Sequence, residues 1–135
     1  KTVTGTIDWD TDTFKLMLVD NTNAPDLDVD DFRDDRTTGE LTATNGYTTG
    51  GVTLTGNAVT YDSASDQVRL DFTTDPSFPF SGSKTWRYGD LYKSRGGAAS
   101  ADELLANLTW DADQTVSTAY TLTLDPAGLL FIDVT

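Results

Sequence analysis

Hydrophobic residues along the chain come in short alternating runs, separated by turns rich in Gly, Asn, Asp and Pro. The densest run is Asp12-Thr-Phe-Lys-Leu-Met-Leu-Val-Asp20, in which Phe14, Leu16 and Leu18 occupy one parity and Met17 and Val19 the other. Its length suits a strand and is too short for a buried helix. Apolar residues on both parities predict an interior strand covered on both faces. Around it, weaker alternation predicts a strand over 3–10, a short strand over 40–44, and a hairpin in which Val52 and Leu54 turn at Gly56-Asn57 onto Val59 and Tyr61. A turn over 62–66 leads into Val68, Leu70 and Phe72, and residues 73–83, with two prolines and two phenylalanines, read as a long loop.

Further strands are predicted over 84–93, with Trp86, Tyr88, Asp90 and Tyr92 on one parity, over 120–124, and over 129–134 after an Asp125-Pro-Ala-Gly128 turn. Two segments carry helical signals. Pro25 can start a helix, Asp26 and Asp28 favour its N-terminus, and Val29 and Phe32 are three apart, which predicts one or two turns lying on the sheet near 26–34. Ser100-Ala-Asp-Glu103 has capping-box form, yet Leu104, Ala106, Leu108 and Trp110 alternate with period two, so a strand with at most one preceding helical turn is favoured. The whole is the pattern of an all-β domain over residues 1–135, a mainly antiparallel sandwich or barrel-like body of about eight short strands.

Charge sharpens the picture. Glu40 and Glu103 are the only glutamates, so 20 of the 22 acidic residues are aspartates, against nine Lys and Arg, and the net charge is -13. Aspartate favours turns and caps over helix interiors, which agrees with a loop-rich β protein. Such a surface repels phosphate backbones and anionic lipid, so neither nucleic acid nor a membrane is expected as a partner. At 135 residues one core can bury roughly two-thirds of the unfolded surface, so no cofactor is needed for stability. The chain opens at Lys1 rather than Met, which reads as a processed start or a start inside a longer product.

Candidate chemistry is thin. There is no Cys, and the lack of His removes the commonest general base and metal ligand. Abundant Ser and Thr therefore have no histidine to activate them, chance pairs among so many aspartates carry little meaning, and no enzymatic activity is expected. Asp8-x-Asp10-x-Asp12 and Asp26-x-Asp28-x-Asp30 open like calcium loops, but Thr13 and Asp31 stand at the required glycine and Val19 and Thr37 at the required glutamate. Solvated turn aspartates are the better reading of both. Trp9, Trp86, Trp110 and Tyr47 could line a sugar-binding face, although Trp86 and Trp110 on alternating strands fit a core better. Phe78-Pro-Phe80 either packs back onto the sheet or marks an interface. Phe78 and Phe80, with Phe32, Arg33 and Arg36, are taken forward as contact residues.

Four stretches then stand together: Ile7-Asp-Trp-Asp-Thr-Asp-Thr-Phe-Lys-Leu-Met-Leu-Val19, Gly46-Tyr-Thr-Thr-Gly-Gly-Val-Thr-Leu54, the spaced R-Y-x-x-L-Y-K from Arg87 to Lys93, and Asp125-Pro-Ala-Gly-Leu-Leu130. In that order they resemble a family of small structural proteins from the virion-gene clusters of tailed bacteriophages. The resemblance implies a non-catalytic virion protein, read in that family as head decoration or cement, whose partner would be the major capsid protein. It implies no cofactor and no catalytic residue. An acidic domain fits the outer surface of the head better than a wall facing packed DNA, and closed cyclic symmetry makes a homotrimer the expected assembly. A tail or fibre module contacting the host surface is the alternative. Gly89-Asp90, where the family tends to be apolar, and the highly charged segment 26–36 are the two departures.

Overall fold

The computed structural model describes residues 7–125, 128 and 130–133, the last four by their backbone. The proposed strand over 3–10 lies largely outside these residues, and 7–12 is a loop and turn. Among the described residues nine antiparallel strands form three sheets: β1 (Thr13–Val19), β2 (Val52–Thr53), β3 (Thr55–Asp62), β4 (Gln67–Thr74), β5 (Ser77–Phe78), β6 (Lys84–Ser94), β7 (Leu104–Val116), β8 (Tyr120–Thr121) and β9 (Leu130–Asp133). The orders are β2-β1-β6-β7, β3-β4-β9 and β5-β8. One helical turn, α1 (Arg33–Arg36), runs on into a 3-10 turn, Thr37–Gly39, and another 3-10 turn, Ala99–Ala101, precedes β7. The fold is all-β and sandwich-like, as the alternation predicts.

β1 is the interior strand expected. It pairs along its whole length with β6, from Thr13↔Ser94 to Val19↔Tyr88, and over two residues with β2. Phe14, Leu16 and Leu18 enter the main core, whereas Met17 and Val19 join Tyr92 on the opposite face, packed with Tyr88 and Leu104. Each of these side chains contributes on the order of 1.5–3 kcal/mol by burial. Beyond β2, residues of the 39–47 loop take over the edge of β1: Asp20 N–H donates to Gly39 O, Leu41 N–H to Leu18 O, and Leu18 N–H to the Tyr47 hydroxyl. β7 forms the other edge of this sheet, with Thr109, Asp111 and Asp113 exposed along it.

Three expected elements differ. Residues 40–44 make a single bridge, Glu40↔Val19, rather than a strand. The Glu40 carboxylate instead gathers the Tyr47 hydroxyl and the Gly50 N–H, which holds the segment as a loop. The hairpin expected around Gly56-Asn57 does not form, because β2 pairs with β1 while β3 pairs with β4 (Val59↔Leu70, Tyr61↔Val68). The two apolar pairs never shared a face: Leu54 is buried, whereas Val59 and Tyr61 are about half exposed. The chain passes from one sheet to the other at Leu54, Gly56 at φ +74 is skipped in the register of β3 with β4, and the true reversal is at 62–66, where Asp66 has φ +56. Finally, the expected loop over 73–83 contains β5, which pairs with β8 through Ser77↔Thr121 and Phe78↔Tyr120.

The parity of β6 is also broken. Its pairing with β7 shifts between Trp86↔Gln114 and Tyr88↔Thr109. The irregularity lets Trp86 enter the main core while Tyr88 and Tyr92 turn to the other face, the re-aiming that a bulge produces. Gly89 lies under Trp110. A Cβ there would stand 3.2 Å from the indole ring, so the missing side chain makes room for it.

Candidate interaction face

Segment 20–40 lies across the second face of the four-stranded sheet and forms a layer of charged groups over Tyr88, Asp90 and Tyr92. The backbone fixes it there: Phe32 bridges Glu103, Arg33 N–H donates to Asp102 O, and Leu104 N–H donates to Asp31 O. The helical turn falls at 33–36 rather than beginning at Pro25. Residues 26–30 form a separate turn closed by Asp26 O accepting the N–H groups of Val29 and Asp30, 3.2 and 2.8 Å away. Asp35 closes the start of α1 by accepting from the N–H groups of Asp31 and Phe32.

Both arginines of α1 point into the sheet. Arg33 donates through Nε to Asp102 at 3.0 Å and lies 5.4 Å from the Tyr92 ring centre. Arg36 is fully buried: Nε donates to Asp90 at 3.0 Å, Nη1 to Asn23 at 2.9 Å, and the guanidinium lies 5.8 Å from the Tyr88 ring centre. Asp90, 2 % exposed, has both oxygens engaged, the second by Asn107 at 2.6 Å. Burial pushes its carboxyl above the ordinary aspartate value, in spite of Asn107 and Arg36 holding it down. Asp90 can stand buried on this strand because the Arg36 guanidinium sits over it, so the charged segment 26–36 and Asp90 are two halves of one arrangement.

Beside this pair is a pocket of about 220 Å³, lined by Pro25, Leu27, Asp30, Asp31, Arg36, Asp90 and residues 104–107 of β7. Leu27 on its lining projects into solvent, 83 % exposed, and Val29 in the same loop is 62 % exposed. Sequence reasoning placed Val29 against the sheet and missed Leu27. The signal was the strict alternation Asp-Leu-Asp-Val-Asp over 26–30, which in a turn outside any strand puts both apolar residues outward.

The five expected contact residues separate into two groups. Phe32, half-buried, Arg33 and Arg36 come together on this face, but both arginines are held by carboxylates of their own chain, which corrects the expectation that they reach outward. Phe78 and Phe80 lie elsewhere and are 1 % and 4 % exposed. They stack on each other at 5.6 Å and extend through Tyr47, Tyr120 and Trp86, so they are core residues rather than contacts. Trp9, Tyr47 and Trp86 are buried as well, and Trp110 packs edge-on against Trp86; these four aromatics do not line a sugar platform.

The two Asp-x-Asp-x-Asp turns are built alike. In each, the first N–H donates to the fifth residue's carboxylate (2.8 Å) and the third N–H to the first residue's carboxylate (3.1 and 3.0 Å). Asp12 also pairs with Lys93 at 2.6 Å. Among the described residues no group of three acidic side chains is placed to hold a metal ion, and no helix is long and apolar enough to cross a membrane. Comparison with protein-family models, with curated proteins and with solved structures finds no match.

Proposed function

We propose that the protein is a virion structural protein of a tailed bacteriophage, a decoration or cement subunit that attaches to the outer surface of the head and bridges capsomers of the major capsid protein, as a homotrimer. The observation that carries this reading is the ordered resemblance of four stretches spread over nearly the whole chain. The places of the first three in the fold support treating those three as one unit. The first supplies β1, the third lies in β6 paired along β1, and the second runs past the edge of β1, where a Cβ on Gly51 would stand 1.9 Å from Leu16 O. An acidic, strand-built body suits a position facing solvent rather than packed DNA.

The test is immunogold labelling of purified particles, joined to rebinding of the purified chain to heads stripped of it. Regular label over the head, with rebound heads bursting at a higher temperature than stripped ones, is the expected result. Particles that lack the chain, or label confined to the tail, would overturn the reading.

A further inference from the structure

We propose that the 25–31 loop and the pocket behind it form a docking site for a basic segment of a partner protein, with one Lys or Arg side chain of that segment entering the pocket. The inference deepens the attachment proposed above, and rests on it only where it identifies that partner with the shell.

Shape and chemistry both specify the occupant. Leu27, Leu104, Leu105 and Ala106 give the pocket an apolar wall, against which the methylene stem of a long cationic side chain packs well. Asp30, Asp31 and Asp90 bring three carboxylates against the single guanidinium of Arg36, so the pocket favours a positive head group. Arg36 itself is buried in this wall and already tied to Asp90, Asp30 and Asn23, so its charge is balanced within the chain. The apolar wall separates such an occupant from a free inorganic cation, which has no stem to lay against it.

Charge also decides between a second copy and a different protein. All five arginines are ion-paired within the chain, to Glu40, Asp102, Asp30, Asp90, Asp62, Asp113 and Glu103, and Lys93 is paired with Asp12. Lys84 is buried and donates to Thr42 O. Lys15, half-buried on β1, is the other lysine among the described residues, so a copy of a chain with net charge -13 has little positive surface to offer a loop whose Asp26 and Asp28 are exposed, with Asp34 and Asp35 exposed on the adjoining turn. The exposed Leu27 and Val29 supply the apolar anchors that such a contact centres on.

The probe is N-acetyl-lysine N-methylamide, which carries the stem and the ammonium, titrated into the full chain and followed by backbone amide NMR shifts. Shifts concentrated at 25–31 and 104–107, absent with the norleucine analogue and weakened by salt, are expected. No shifts there, or equal shifts from norleucine, would overturn the site. The second arm binds stripped heads with the wild type and with Leu27→Ser/Val29→Ser, whose exposed positions leave folding intact. Roughly a tenfold or greater loss of affinity is expected. Heads bound equally by both proteins would sink the docking site while leaving the virion reading in place. Lysine probe binding at the pocket without any binding to heads would do the reverse.

Discussion

Arg36 and Asp90 are a buried ion pair whose worth depends on staying together. A lone charge at that depth is costly, so Asp90→Ala should destabilise the domain by about 3–5 kcal/mol in urea unfolding. Replacing both partners, as Arg36→Met with Asp90→Leu, should cost far less than the sum of the single changes, because the double variant leaves no uncompensated charge. Additive costs would show that the two side chains act separately. Gly51 illustrates a different constraint at this scale. At φ +73, with Leu16 O where a Cβ would go, its conformation is reserved for a residue without a side chain.

At the scale of elements, the short β5 strand changes what its phenylalanines do. Phe78 is tied down by the ladder to Tyr120 and by rings on either side. Phe78→Ser should therefore unfold rather than merely blunt the protein, costing about 3–5 kcal/mol from lost packing alone. A variant of wild-type stability would return Phe78 to the surface.

The same comparison marks what could be read from the chain. β1 was legible because five apolar residues on two parities admit one placement, and the strand at 104 because Leu104, Ala106 and Leu108 outweigh a capping box. β5, with Phe78 two residues after Pro76, was not, because a two-residue strand has no period to detect. The false hairpin arose from alternation that was real but served two sheets. Of the interaction face, the charge was legible and the direction of Arg33 and Arg36 was not: their partners Asp102 and Asp90 lie 69 and 54 residues away.

For the whole molecule, the acidic surplus gives a pH dependence with a definite sign. Hydrogen bonds from Arg95 hold the Glu103 carboxyl below its ordinary 4.5, and Asp12 is lowered too, since burial, which raises it, is outweighed by hydrogen bonds from Lys93 and the Asp8 N–H together with the Lys93 and Arg95 charges. A carboxyl depressed in the folded state stabilises fully above its unfolded value, and that stabilisation is lost as pH falls through the folded one. The Arg95–Glu103 contribution is thus complete above pH 4.5 and disappears on further acidification. Glu103→Gln should flatten the fall in thermal midpoint between roughly pH 5 and 3 while leaving its neutral-pH slope alone. An unchanged acid limb would assign the loss to other carboxylates.

The treatment of the four-stranded sheet's two margins has one more consequence. A loop holds the main-chain groups of β1 beyond β2, and Asp111 and Asp113 stand along β7 where a neighbour's backbone would have to approach. Copies crowded side by side are thus kept from zipping together through this sheet into fibrils. Any ordered array they build along those margins must be joined by side chains, and so can be taken apart by salt or by single substitutions.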